Sequence, residues 1–387
     1  MKILLVDQIA KTTYKYTFSL AKALKKKGID LTLAIDLKKN NEKCNFDVVN
    51  LFNTDEKNIS KVKKAENYIF SYRQILKLIK EKNIDIIHMQ WIIFSPVDYY
   101  YLKRIKSDFK CKLVITVHDI LPFNKKFYDY RFHEKIYALA DYIIIQTEHN
   151  LERFDKLFPD NNVNKIMVPH GHYLEFGEIV DSKYAKEKLN IQSDKIILLF
   201  FGQIKKVKGL GILLEAFASV CERYSDVLLV IAGNVWKDDF SQYDVLIERL
   251  GIRHKVRADI KFIPDEDVKY YYSASDLCIL PYLDVFQSGV VQLTYAHLKP
   301  AIVTNLEAFT DVIINEQTGF ICEANDVQSL ADTIAKALEV KDQFPYMAKA
   351  GYEYISKKFS WDEIADKIYS VYCSLYKNEP YRENREQ

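Results

Sequence analysis

Phe200-Phe201-Gly202-Gln203-Ile204-Lys205-Lys206-Val207-Lys208-Gly209 leaves an apolar run through a glycine and three lysines. It then enters a stretch whose apolar positions, Leu210, Leu213, Leu214, Phe217 and Val220, share one helical face. Ammonium groups beside a helix start make an anion site, because the unpaired first-turn N–H groups and the helix dipole act in the same sense as the lysines. Each charge-assisted hydrogen bond there is worth about 1.5 to 3 kcal/mol. Further along, Leu280-Pro281-Tyr282-Leu283-Asp284 leads to Ser288-Gly289-Val290-Val291-Gln292 and closes at Lys299-Pro300. Pro281 ends a strand, Ser288 suits an N-cap, and Pro300 stops the helix before the next strand. The N–H groups of Gly289, Val290 and Val291 then face outward, with Gly289 allowing close approach. Both segments run from a strand end to a helix start, so on neighbouring strands they close on one diphosphate.

Histidines mark three further places. Leu113-Val114-Ile115-Thr116-Val117-His118-Asp119 sets His118 just beyond a buried strand, and Ile87-His88-Met89-Gln90-Trp91 brings His88 to the end of another. An imidazole at His118, with an ordinary pKa near 6.5, has both protonation states accessible and can hydrogen-bond a substrate; the competing reading is a structural helix cap by His118 or Asp119. His170-Gly171-His172 has no carboxylate or cysteine spaced to complete a ligand set, so it reads as a hinge or cleft-lining pair and no metal is expected.

The elements that must position these residues follow from the rest of the chain. At about 100 to 200 residues per domain, 387 residues predict two domains, and 49% hydrophobic with 28% charged residues excludes intrinsic disorder. The longest apolar runs, Ile196–Phe201 and Val227–Ala232, fall far short of the ~18 residues of a membrane span. Met1-Lys2-Ile3-Leu4-Leu5-Val6-Asp7 is too short for a signal-peptide core, so export is not expected and a cytoplasmic location is. The six scattered cysteines, 44, 111, 221, 278, 322 and 373, suggest neither a zinc knuckle nor a disulfide framework and read as small buried hydrophobes. The net charge of +2 hides an asymmetry, with 30 Lys+Arg against 20 Asp+Glu in residues 1–170 and 25 against 33 in 171–387. Such a front half suits an anionic surface or polymer, or is simply a solvated Lys-rich face.

Short β-branched runs alternate with amphipathic stretches, the pattern of βαβ units around parallel sheets. Strands are expected at Lys2–Val6, Leu31–Ile35, Ile84–Met89, Lys112–Val117, Tyr142–Gln146 and Lys165–Val168. After the 170–193 stretch come Ile196–Phe201, Val227–Ala232, Ile260–Ile263, Leu277–Leu280 and Ala301–Thr304. The fold class is therefore α/β, with two doubly wound domains in tandem and the binding site expected at the carboxyl ends of their strands, in the cleft between the domains.

The Gly-x-Ile-Lys-x-x-Lys-Gly turn, the Pro-Tyr…Ser-Gly-Val…Ala-x-x-x-Lys-Pro block and Asp311-Val312-Ile313…Thr318-Gly319-Phe320 resemble glycosyltransferase family four. The resemblance is strong over 196–377 and looser over 1–170. It implies the GT-B fold, two Rossmann-like domains facing a central cleft, and retaining transfer of a sugar from a nucleotide diphosphate donor. It divides the chain into an acceptor-side domain at 1–172, a donor domain at 173–358, and a last segment at 359–387 that crosses back to the first domain. It implies that Lys208 and Lys205, with Gly202, bind the diphosphate, and that Ser288, Gly289, Val290 and Val291 hold its distal phosphate. His118 corresponds to the strand-end histidine that contacts the donor sugar, so His118 and Lys208 are the expected catalytic pair. His88 lines the acceptor side in this reading.

The chain departs from the family at Gln203, where an arginine is common and Lys205 can substitute. Its spaced pair of glutamates falls on Val285 and Leu293, with Asp284 and Gln292 one residue away to supply a shifted carboxylate and a ribose hydrogen bond. The first loop, Asp7-Gln8-Ile9-Ala10-Lys11-Thr12-Thr13-Tyr14, lacks the paired glycines of many relatives, which leaves Thr12, Thr13 or Tyr14 to take the acceptor side. Tyr99-Tyr100-Tyr101 with Lys103, Arg104 and Lys106 combines aromatics and cations as a membrane-facing surface does, or else starts a packed helix. The implied partners are a nucleotide sugar, a glycan or lipid-linked acceptor and an anionic membrane surface, without nucleic acid and without a cofactor. A catalytically inactive nucleotide-sugar-binding protein and a GT-B epimerase are the competing functions.

Overall fold

Short apolar strands pair in parallel throughout the computed structural model, which describes residues 1–36, 44–52, 60–122, 125–236, 239–285 and 288–379. Two units divide them, one made of Met1–Gly171 with Phe359–Gln387, the other of His172–Lys358. The division falls one residue before the boundary placed from the sequence.

The first unit holds β1 (Lys2–Asp7), β2 (Asp30–Ile35), β3 (Asp47–Asn50), β4 (Ile86–Met89), β5 (Lys112–Val117), β6 (Tyr142–Ile145) and β7 (Lys165–Met167), in the order β3-β2-β1-β4-β5-β6-β7. The second holds β8 (Ile196–Phe201), β9 (Val227–Ala232), β10 (Val256–Asp259), β11 (Leu277–Leu280), β12 (Ala301–Thr304) and β13 (Phe320–Cys322), in the order β10-β9-β8-β11-β12-β13. Helices on both faces explain why the strands read as continuous apolar runs and not as alternations. In each sheet the order reverses once, between β1 and β4 in the first and between β8 and β11 in the second. Those switch points open the crevices where ligands of doubly wound sheets bind.

Three sequence expectations need correction. The strand expected at Ile260–Ile263 lies at Val256–Asp259, where alternate charged residues disguise it: Arg257 Nε bonds Asp259 Oδ2 at 2.9 Å, and Tyr271 Oη donates to the same oxygen at 2.9 Å. The short strands β3 and β13 went unseen, because three or four residues carry too little pattern to separate from loop. Only half of the cysteines are buried, Cys111, Cys278 and Cys322, while Cys44, Cys221 and Cys373 are partly exposed; all six are free thiols.

The last described helix, Trp361–Lys377, belongs to the first unit and packs on its first helix, Ala10–Lys26. Trp361 lies edge-on to Tyr16 at 5.3 Å, and Lys26 and Lys27 pair with Asp362 and Asp366 at 3.0 and 2.6 Å. The tyrosine run sits in the helix Ser95–Phe109 without forming one surface. Tyr101 stacks on Tyr72 in the core at 4.8 Å, Lys106 pairs with Asp141, and Arg104 pairs with Asp108, which leaves Tyr100 and Lys103 outward. No helix among the described residues is long and apolar enough to cross a membrane.

Candidate active site

Pairing of β8 with β11 sets the lysine turn beside the Pro-Tyr block. Leu277 lies opposite Leu198 and Cys278 opposite Leu199, so both strands end at the same edge. Beyond that edge Leu283 N donates to Val207 O at 2.8 Å, and a Cβ placed on Gly202 would stand 3.3 Å from Val290 Cγ2. Gly209 joins the turn to the helix Leu210–Arg223 at φ +69°, and any Cβ there would meet Pro281 O at 1.8 Å. Only glycine fits this position, so the approach of the two loops is written into the chain.

Lysine ammonium groups line this edge over aromatic rings. Lys208 Nζ stands 3.5 Å from the centroid of buried Tyr282, and Lys205 Nζ lies 5.4 Å from the ring of half-exposed Trp236. Such cation–π contacts orient an ammonium group without consuming its three N–H donors. Opposite them begins the helix Gly289–Ala296. Ser288 occupies the N-cap position, but its side chain makes no capping bond, contrary to expectation; Ser288 Oγ is buried without a hydrogen-bond partner. The backbone of Ser288, at φ −133° and ψ 104°, is extended like that of the capping Asp326 at φ −123° and ψ 108°, so the missing bond is not imposed by the main chain. Gln292 is buried with Oε1 unpartnered, one turn into the same helix. Asp284 is exposed, while Val285 and Leu293 are half-buried. The structure thus gathers Gly202, Lys205, Lys208, Ser288, Gly289, Val290, Val291 and Gln292 at one switch point, with Asp284 on its outer loop.

The first unit builds its strand ends differently. Asp7, at the end of β1, is fully buried and organises the first loop: Ile9 N donates to Oδ1 at 3.0 Å, and Thr13 and Thr17 hydroxyls donate to Oδ2 at 2.7 and 2.5 Å. Burial pushes the Asp7 carboxyl up, against the pull of these bonds. Thr13 gives its hydroxyl proton to Asp7, and the carboxylate takes the place of the absent glycines as the organiser of the loop. Tyr14 lies edge-on to Phe18 at 6.4 Å, and the Thr12 side chain is outside the described part.

His88 is not an acceptor-side residue. It is wholly buried, with Nδ1 2.5 Å from Tyr372 Oη and Nε2 2.7 Å from Thr116 Oγ1, and burial depresses its pKa to about 3. His118 does reach the crevice edge. Its ring stacks on Trp91 at 4.6 Å and meets Tyr16 edge-on at 4.9 Å, and Nε2 lies 3.1 Å from Gln90 Oε1. Desolvation in this aromatic setting, with His170 nearby, pushes its pKa down to about 3. The ring is neutral at physiological pH, so the expectation of two accessible protonation states does not hold. His170 bonds its Nδ1 to Gly171 O at 2.7 Å and tilts against Tyr16 at 4.7 Å. Among the described residues no group of three potential metal ligands occurs.

Sequence reading missed the residues around His118. Gln8, Gln90 and Gln146 end β1, β4 and β6 and are almost fully buried; Gln8 Oε1, both amide atoms of Gln146 and Trp91 Nε1 lack partners. A glutamine closing each of three apolar runs was the available signal.

Comparison with known proteins bears on both units. Residues 15–173 match the model of "Glycosyltransferase Family 4", and residues 181–354 match that of "Glycosyl transferases group 1", so the two together take in most of the chain. The chain is 24% identical over 250 residues to the D-inositol 3-phosphate glycosyltransferase of Corynebacterium urealyticum, across 62% of this chain and 58% of the relative. It is 24% identical to the capsular polysaccharide biosynthesis glycosyltransferase CapM of Staphylococcus aureus, across 55% and 57%. The match thus spans little more than half the length of these relatives. Among solved structures, Anabaena HepE in complex with UDP-glucose superposes with a TM-score of 0.74 at 15% identity, covering 97% of this chain and all of that one.

Proposed function

We propose, from the premise that the chain belongs to the family 4 glycosyltransferases of GT-B fold, that it transfers a hexosyl group from a nucleotide diphosphate sugar to a glycan or lipid-linked acceptor, with retention at the anomeric carbon. The observation that carries this reading is the meeting of the lysine turn with the start of Gly289–Ala296, where Lys208 Nζ is held 3.5 Å from the Tyr282 ring centroid. Negative charge grows on the diphosphate as the glycosidic bond breaks. Fixed cations and helix-start amides stabilise that charge more than the ground state, which is what lowers a barrier. Lys208, Lys205 and the Gly289–Val291 amides take this role. Neutral His118 hydrogen-bonds a hydroxyl of the transferring sugar and adds no competing charge. The acceptor proton passes to an oxygen of the departing diphosphate, so no protein nucleophile is required. Cations and amides also take the part a divalent metal would play, and the reaction is metal-independent. HepE, solved with UDP-glucose, and CapM, a glycosyltransferase of capsular polysaccharide biosynthesis, support a UDP-sugar donor and a polysaccharide product; the proposed place of synthesis is the cytoplasm, at the inner membrane face.

Lys208→Ala tests the reading. It should lower kcat/KM for the donor by roughly ten- to a hundredfold, the equivalent of one charge-assisted bond of about 1.5 to 3 kcal/mol. Activity should persist in EDTA. Unchanged kinetics in the variant would remove Lys208 from the site, and loss on chelation with rescue by Mg²⁺ would show that a metal carries the leaving-group charge. The apolar pair Val285 and Leu293 favours one competing function, a nucleotide-sugar-binding protein without transfer. That function predicts donor binding with no turnover across an acceptor series.

A further inference from the structure

A continuous chain of side-chain contacts crosses the interior of the first unit from the last helix to the crevice edge. Tyr372 Oη lies 2.5 Å from His88 Nδ1, His88 Nε2 lies 3.2 Å from Gln90 Nε2, and Gln90 Oε1 lies 3.1 Å from His118 Nε2. The proton positions along it are interdependent. An amide nitrogen can only donate, so His88 Nε2 must be the lone-pair nitrogen of its ring, which also accepts from Thr116 Oγ1 at 2.7 Å. A neutral His88 then carries its proton on Nδ1 and gives it to Tyr372 Oη. An amide oxygen can only accept, so His118 must present an N–H to Gln90, and that N–H is on Nε2.

We propose that Gln90 is a positioning residue that fixes the tautomer of His118, holding the proton on Nε2 and leaving Nδ1 as the ring's acceptor nitrogen. The ring at the crevice edge is thereby specialised to receive a hydrogen bond from a substrate hydroxyl, not to donate one. The geometry is well supported from the sides. Gln90 is fully buried, its main-chain N–H is tied to Val6 O at 2.9 Å, and the stacked Trp91 ring holds the plane of the His118 ring. Thr116 Oγ1 and Tyr372 Oη occupy the two nitrogens of His88, and the amide lies between the rings with Nε2 toward His88 and Oε1 toward His118. A ring whose tautomer is fixed in advance loses nothing to tautomeric choice when substrate binds.

The catalytic consequence rests on the sugar-contact reading of His118, whereas the tautomer does not, so the two are measured separately. Protein labelled with ¹⁵N-histidine, without any substrate, is read by long-range ¹H–¹⁵N correlation at neutral pH. The expected result is a protonated Nε2 and an unprotonated Nδ1 for His118, with the opposite pattern for His88. Finding His118 protonated on Nδ1 overturns the proposal. In Gln90→Leu the His118 signals should move toward a mixture of tautomers, and kcat should fall at least about tenfold with the donor KM little changed. A Gln90→Leu protein that melts earlier but keeps the single Nε2–H tautomer shows that Gln90 is only a packing residue. If the tautomer shifts while kcat stays at the wild-type value, the positioning of His118 survives and its part in sugar transfer does not.

Discussion

The two switch points solve the same problem with different materials. At β8 and β11 the second unit uses backbone: glycines that let loops approach, a proline, helix-start amides and lysines standing over aromatic rings. At β1, β4 and β5 the first unit uses buried side chains: Asp7 gathers the hydroxyls of its own loop, while His88 and His118 take partners from segments far apart in the chain. The first kind of site tolerates exposed charge and depends on steric fit. The second depends on paired protons along its side-chain network, because each buried group that loses its partner costs about 1 to 3 kcal/mol. A steric fault should therefore damage the second unit most, and a protonation fault the first.

Gly209→Ala is the sharpest way to break the comparison. The added methyl would need to occupy the space of Pro281 O, 1.8 Å away, in a backbone already at φ +69°. Gly28→Ala is the control: it has a similar φ of +77° with nothing within 4 Å, so it carries the conformational penalty alone. Gly28→Ala should cost about 1 kcal/mol, and Gly209→Ala several, with nucleotide binding lost. Calorimetry on both variants, with binding of UDP alone, reads this directly. Equal melting temperatures would mean that the lysine turn adapts and that its approach to Pro281 is not essential.

That contrast also explains what could be read before the structure. The donor-side turn was legible because Gly, Pro, Ser and Lys at short spacing each limit the backbone or place a charge locally. Its neighbouring strand was legible because Leu277–Leu280 is apolar throughout. The network around His118 was not legible, since Tyr372 and His88 are brought together only by the return of the last helix. His88 and His118 both stand near strand ends, His88 inside β4 and His118 just past β5, yet their settings differ entirely. What decides this is Tyr372, whose hydroxyl meets His88 Nδ1. The Asp7 loop was legible only in part: the absence of paired glycines is plain in the sequence, but that the Thr13 and Thr17 hydroxyls meet on the Asp7 carboxylate is not.

Acid should separate the units. His88 and His118 are held near a pKa of about 3 and His170 near about 4, against 6.5 in an unfolded chain. As pH falls below 6.5 the unfolded chain takes up protons that the native first unit refuses, so stability is lost progressively down to about pH 3. At pH 5 the loss is up to about 2 kcal/mol for a wholly buried ring such as His88. Asp98, raised to about 6 by burial between Tyr68 and Tyr72, and Asp7, also pushed up by burial, work in the opposite sense, but two carboxyls do not offset four imidazoles, His133 being lowered by burial as well. In the second unit the shifted groups include Tyr272 and Cys278, which burial pushes up and which ionise on the alkaline side. Calorimetry at pH 7.5 and pH 5, with hydrogen exchange at β4 and β8 to assign the transitions, should show the first unit melting earlier at pH 5. Transitions that move together would mean that the histidines titrate freely and are not held neutral.

The smallest expected effect concerns the charge difference between the units. The returning segment 359–387 brings 4 basic and 6 acidic residues, so the first unit's excess of ten positive charges falls to eight. Arg104 and Lys106 spend their charges on Asp108 and Asp141, and Tyr101 is in the core, so around the tyrosine run only Tyr100 and Lys103 remain to meet a surface. If the first unit docks on anionic lipid, attachment is the sum of dispersed lysines at about 1 kcal/mol each, without an aromatic anchor. The protein should then sediment with phosphatidylglycerol vesicles at low salt, release as salt shortens the ~10 Å screening length, and ignore neutral vesicles. Lys103→Glu should weaken the attachment only severalfold, since no single lysine dominates a dispersed patch. A collapse of binding in that variant would place a defined lipid site at the helix Ser95–Phe109. Equal partition onto neutral and anionic vesicles would leave the charge difference as a solvated surface, and the acceptor would then be a glycan free in solution.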